Sequence, residues 1–134
     1  MADTPALQSA REFRVLVVDD DIGVRRSVAR SLQSRGYAVE LANSAEEALE
    51  ALAAGTWSPR LVISDVVMPG MSGVAFAEHL RSADEAIPII LITGYAGSHL
   101  REHHVETFDV LEKPFSPEQL IARVEKAIGT HDCA

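Results

Sequence analysis

The sequence has one cysteine, few aromatic residues (5%) and a minority of basic charges. The single cysteine, Cys133, closes no internal disulfide, so stability must come from a packed core. No apolar run approaches the ~20 residues that a membrane-spanning helix needs. Residues 1–13 also lack the apolar stretch of a signal peptide. These absences lead to the expectation of a soluble protein in the reducing cytoplasm, with no membrane insertion. Twelve Lys and Arg against 20 Asp and Glu leave a net charge of −8. An acidic balance argues against direct contact with nucleic acid or an anionic membrane, both of which need a basic face. Neither a GxGxxG run nor a P-loop is present, which removes the usual nucleotide cradles.

What remains is a chain of 134 residues, 47% of them hydrophobic. That length suits one domain, which buries roughly two-thirds of its unfolded-chain surface. The expected division is a mobile leader over 1–13, a domain over 14–129 and a tail over 130–134. Val15-Leu16-Val17-Val18, Leu61-Val62-Ile63 and Ile89-Ile90-Leu91-Ile92 are short, unbroken, branched runs, the pattern of strands covered on both faces. Two weaker strands are expected at Tyr37–Leu41 and Phe108–Glu112.

Helical spacing fills the intervals. Val24, Val28 and Leu32 recur at i, i+4 and i+8, with Gly36 where a helix-ending glycine belongs. Ser44 and Glu47 form a capping-box pair ahead of an apolar stripe that stops at Gly55. A third helix is expected over Val74–Arg81, a weakly patterned fourth over Ser98–Val105, and a last one after Ser116-Pro117, with its end before Gly129. Five strands alternating with five helices predict a doubly wound α/β fold with a parallel sheet.

In such sheets, ligands bind beyond the carboxyl ends of the strands. Those ends carry Asp19, Asp20 and Asp21, then Asp65, Thr93 and Lys113. Clustered carboxylates repel unless a cation intervenes, and an all-oxygen set suits a hard ion such as Mg2+. A carboxylate beside such an ion is a nucleophile toward phosphorus, while a hydroxyl and an ammonium serve phosphoryl oxygens. The chemistry suggested is phosphoryl transfer onto an aspartate. Asp21 is also read as a helix start, where acids are favoured, and Met68 and Met71 as packing residues. His99 and His103, at i, i+4 spacing, could grip a transition metal, but no nearby Cys or third fixed ligand is evident, and with His104 they are read as a solvated helix face. Trp57 is read as edge packing.

Four segments in order, Val17-Val18-Asp19-Asp20, Asp65-Val66-Val67-Met68-Pro69-Gly70-Met71-Ser72-Gly73, Thr93-Gly94 and Lys113-Pro114-Phe115, closely resemble the receiver domain of bacterial two-component response regulators. The resemblance covers 14–129 and implies a flavodoxin-like (βα)5 fold with strand order 2-1-3-4-5. It implies that Asp65 accepts the phosphoryl group from a phosphohistidine of a sensor histidine kinase or phosphotransfer protein. Asp19, Asp20, Asp65 and the Val67 carbonyl would ligate Mg2+, Thr93 would be the switch hydroxyl, and Lys113 would pair with the phosphoryl group. The Lys113-Pro114 bond would be cis. Such a domain is not an enzyme on separate substrates; it assists its own phosphorylation and dephosphorylation. Its output would pass to a downstream protein through residues 98–128.

Two departures stand out. Receivers commonly carry Phe or Tyr three residues before the lysine, where this chain has Val110; Phe108 and Tyr95 are the substitutes at hand, and Tyr95 is expected to do the swinging. In receivers the positions that Val67 and Tyr95 occupy border the path of the hydrolytic water, so the resemblance implies a long-lived phosphoryl state. The competing readings are a phosphate-independent adaptor receiver and a haloacid-dehalogenase-like phosphatase using Asp19-Asp20-Asp21. The latter leaves Asp65 and the Met68-Pro69-Gly70 loop without a role. With no output domain following residue 129, a stand-alone receiver and a piece of a hybrid kinase are both expected possibilities.

Overall fold

In the computed structural model, residues 13–56, 58–83, 87–94 and 108–132 are described. The chain forms β1 (Arg14–Val18), α1 (Ile22–Gln33), β2 (Ala38–Ala42), α2 (Ala45–Ala53), β3 (Leu61–Asp65), α3 (Gly73–Ala83), β4 (Ile89–Thr93), β5 (Asp109–Glu112) and α4 (Pro117–Asp132). The expected helix over Ser98–Val105, with Tyr95 and the three histidines His99, His103 and His104, lies outside the described residues, as do Trp57 and Cys133. No helix among the described residues is long and apolar enough to cross a membrane.

All strand pairings are parallel, and the sheet order is β2-β1-β3-β4-β5, as the alternation and the resemblance predict. The unbroken apolar runs have a simple cause. Successive residues of a strand point to opposite faces, and here both faces are covered. Leu16, Val18, Val62 and Leu91 pack with Ala45, Ala48, Val74, Phe76 and Ala77 of α2 and α3. Val15, Val17, Leu61, Ile63, Ile90 and Ile92 pack with Val28 and Leu32 of α1 and Leu120, Ile121 and Val124 of α4. β1, β3 and β4 are buried almost throughout, whereas the edge strands β2 and β5 are only partly covered and read weakly in the sequence.

Local chemistry sets the helix ends. Asp21 caps α1 by accepting from the Gly23 and Val24 N–H groups at 2.8 and 3.3 Å. Ser44 caps α2 through the Glu47 N–H at 3.0 Å, while the Glu47 carboxylate reaches back to the Asn43 N–H at 2.7 Å. The return bond thus lands one residue before the cap. Ser116 and Gln119 make the fully reciprocal box, with bonds of 2.8 and 3.1 Å. At the far end of α2, Gly55 takes φ +77°, and Thr56 N–H bonds Ala51 C=O at 3.0 Å in the usual glycine-terminated closure.

The expectation that α4 stops before Gly129 is corrected. The helix continues through Gly129 to Asp132. Gly129 is not among the glycines with positive φ, so it does not turn the chain out of the helix. A glycine inside a helix costs only about 1 kcal/mol relative to alanine, too little to end it alone.

Candidate functional site

Strand order reverses between β1 and β3: the chain leaves β1 for its β2 neighbour and later returns to its other side. The crevice beyond the carboxyl ends of these two strands is where an open α/β sheet offers a ligand site. Asp19 and Asp20 directly follow β1, and Asp65 is the last residue of β3. One carboxylate oxygen from each of Asp19, Asp20 and Asp65 lies within 4.8 Å of the others. Asp21 does not join them, because its side chain is committed to the α1 cap.

These acids are not equally solvated. Asp19 is 1% exposed and Asp65 7%, whereas Asp20 is open to solvent. Asp19 Oδ1 accepts the Asp21 N–H at 2.8 Å, but its buried Oδ2 has no hydrogen-bond partner. Burial, reinforced by the neighbouring Asp65 and Asp20 charges, pushes the Asp19 carboxyl up to about 6. Asp65 is also pushed upward, chiefly by burial, against the lowering effect of Lys113 and the Val66 N–H. Lys113 Nζ stands 3.5 Å from Asp65 Oδ1, and Val66 N–H donates to the same oxygen at 3.0 Å.

Among the described residues, the three carboxylates have one ion pair, that of Asp65 with the Lys113 ammonium. Together with the orphaned Asp19 Oδ2, this donor set fits a small divalent cation with hard oxygen preference. A buried charge without a partner is costly, and a cation at this point would remove that cost.

Two further groups hold the frame. Arg25 of α1 donates to the Asp19 carbonyl at 2.7 Å. Gly73, which opens α3, donates to the Val66 carbonyl at 2.8 Å, and a Cβ there would overlap the Asp65 carbonyl oxygen. The glycine is therefore required by close approach rather than by a special φ. Ser72 caps the same helix through the Ala75 N–H at 3.1 Å.

Thr93 ends β4 and is buried (1% exposed); its carbonyl accepts the Lys113 N–H at 2.7 Å. The termini of β4 and β5 are thus joined at the two residues expected to serve phosphoryl oxygens. The Lys113–Pro114 peptide is cis, as the resemblance implies. Val67, two residues past Asp65, is 49% exposed.

This geometry can be set beside known proteins. Residues 15–125 match the response regulator receiver domain. The chain belongs to that family. It is a receiver domain of the kind used in two-component signalling. The response regulator MprA of Mycobacterium leprae (strain TN) is 41% identical over 114 residues, covering 84% of this chain and 49% of the relative. The chain therefore spans about half the length of the curated relatives it matches. Among solved structures, the chemotaxis protein CheY4 of Vibrio cholerae is 34% identical with a TM-score of 0.76, covering 85% of this chain and 97% of that one. NtrX from Brucella abortus is 30% identical with a TM-score of 0.78, covering 90% of this receiver but 28% of its own chain.

Arg25 escaped the sequence reading because its partner is a backbone atom. In the aromatic departure, Phe108 is buried, with the Arg81 guanidinium 4.9 Å from its ring centre. Val110 is half-buried against the same core as Phe108, on the α2–α3 side of the sheet.

Proposed function

We propose that this receiver takes a phosphoryl group from the phosphohistidine of a sensor histidine kinase or phosphotransfer protein onto Asp65. The observation that carries the reading is the Asp19–Asp20–Asp65 cluster, with oxygens within 4.8 Å, next to the Lys113 ammonium 3.5 Å from Asp65 Oδ1. Asp19, Asp20 and Asp65, with the Val67 carbonyl, are the residues to hold Mg2+. Bound there, the ion supplies charge neutralisation for the acids and for the phosphoryl oxygens.

The chain's own groups do the remaining work. An Asp65 carboxylate oxygen attacks phosphorus, the P–N bond of the phosphoimidazole breaks, and its electron pair leaves with the imidazole. The Val66 N–H on Oδ1 restrains rotation of the carboxylate. Lys113, already beside Asp65, pairs with the incoming phosphoryl oxygens, and the Thr93 hydroxyl donates to them. An apolar groove of about 330 Å3 adjoins Lys113, lined by Val24, Val28, Pro114 and Phe115. With the half-exposed Ile22 it offers the donor protein a surface to rest on.

Phosphorylation adds nearly two negative charges and three acceptor oxygens. Thr93 and Lys113 are the differential contacts through which this biases the structure. Because their strand ends are bonded together, a shift of one is felt by the other. The responding surface is that of residues 98–128, of which β5 and α4 are described.

Intact mass after incubation with Mg2+ and acetyl phosphate tests the reading. A single phosphoryl adduct on the wild type, absent from Asp65→Asn and abolished by EDTA, is expected. Absence of the adduct with every donor, including a phosphorylated histidine kinase, would instead favour the adaptor.

A further inference from the structure

The loop of residues 66–72 joins β3, which ends in Asp65, to α3. Its two ends are tied by backbone hydrogen bonds next to Asp65. At the start, Val66 N–H bonds the Ile92 carbonyl at 2.9 Å; at the finish, Gly73 N–H returns to the Val66 carbonyl at 2.8 Å. The tip is tied elsewhere. Met71 N–H donates to Glu46 Oε2, in the first turn of α2, at 3.0 Å. Gly70 takes φ +77°, and a Cβ on it would lie 2.7 Å from the same Glu46 oxygen. The Glu46 carboxylate thus fills the space that a side chain at position 70 would need.

We propose that Glu46 is a positioning residue for the acidic crevice, holding the 66–72 loop from α2 so that Val67 is presented to the cation. This rests on the phospho-acceptor reading above. The chain of contacts is short: Met71 packs against the core that buries Met68, and Met68 follows Val67 directly. A loop fixed at its ends and tip keeps the intervening backbone in one arrangement. With the tip released, Gly70 and the adjoining peptides gain freedom, and Val67 samples positions that do not serve the site. Glu46 acts through a hydrogen bond accepted by one oxygen, so an uncharged acceptor of the same length suffices. The bond is at the surface, where it contributes little to global stability.

The test uses the full chain as wild type, Glu46→Ala and Glu46→Gln. Four quantities are measured: MgCl2 affinity by calorimetry, amide hydrogen exchange over residues 66–72, acetyl phosphate uptake on Asp65, and the melting temperature in EDTA. For Glu46→Ala, Mg2+ affinity is expected to fall about fivefold, the size of one lost surface hydrogen bond. Exchange at 66–72 rises, while the melting temperature in EDTA stays within a few degrees of wild type. Glu46→Gln restores both affinity and exchange protection. Unchanged Mg2+ affinity in Glu46→Ala, or a loss that Glu46→Gln fails to restore, overturns the proposal. If those losses are absent but wild type still takes up the phosphoryl group, only the positioning role fails. If wild type binds Mg2+ with the expected variant pattern but takes up no phosphoryl group, only the phospho-acceptor reading fails. A wild type that binds no Mg2+ overturns both.

Discussion

Gly73 is seated directly on the backbone of Asp65: a Cβ added to it would lie 2.8 Å from the Asp65 carbonyl carbon and 2.9 Å from Val66 Cα, and would overlap the carbonyl oxygen. The first residue of α3 and the last of β3 are thus packed backbone to backbone. Backbone atoms cannot move aside as a flexible side chain would. Gly73→Ala is therefore expected to destabilise the domain by roughly 2–3 kcal/mol, as overpacking does, and to displace Asp65. Urea unfolding and acetyl phosphate uptake check this; the variant should lose both stability and uptake.

Asp19 carries a buried oxygen with no partner. Its carboxyl lies at about 6 in the folded chain against an ordinary 3.8, so folding favours the protonated form. The stability this contributes is fully present below pH 3.8 and is lost as pH rises through about 6. At pH 7.5 in EDTA, Asp19→Asn should be more stable than wild type by up to about 3 kcal/mol, the equivalent of two pKa units. Added Mg2+ should stabilise wild type and leave the variant nearly unmoved. Thermal unfolding across pH 4–8, with and without Mg2+, is the measurement.

Lys113 is a counter-charge to Asp65, its Nζ 3.5 Å from Oδ1. Lys113→Met is expected to slow phosphoryl uptake by about tenfold or more, since a charge-assisted contact to the transferring group is lost. Mg2+ affinity should rise, because the acids then lack their ammonium. Stopped uptake with weakened Mg2+ binding would point to a collapsed site instead.

Val67, an apolar residue two past Asp65, is 49% exposed. An apolar group at this point disfavours an ordered attacking water, so the aspartyl phosphate should decay slowly. Val67→Asn is expected to shorten its half-life severalfold, followed as loss of the adduct mass after the donor is removed. Decay that is rapid in wild type and unchanged in the variant would contradict this.

Much of this was legible in the chain itself. The unbroken runs of β1, β3 and β4 report burial on both faces, and period-2 geometry sends Val15 and Val17 to one helix layer and Leu16 and Val18 to the other. The caps at Asp21, Ser44 and Ser116 are local bonds between residues two to four apart, which is why they could be read. Asp19, Asp20, Asp65, Thr93 and Lys113 are recognisable in the sequence as strand-end residues; the structure groups the three acids and sets Lys113 beside Asp65. The end of α4 was misread because a glycine's role depends on its φ, which its neighbours do not reveal.

The sequence by itself determined the layer order, the places where strands and most helices begin, and the residue types available at the strand ends. Those depend on periodicity and on bonds between near neighbours. Only the tertiary structure decided that Asp19 would be buried with an orphaned oxygen while Asp20 stays wet, that Gly73 would lie against Asp65, and that Glu46 would reach the Gly70–Met71 peptide 25 positions away. Burial, close approach and long-range hydrogen bonds belong to how the layers meet, and no local pattern encodes them.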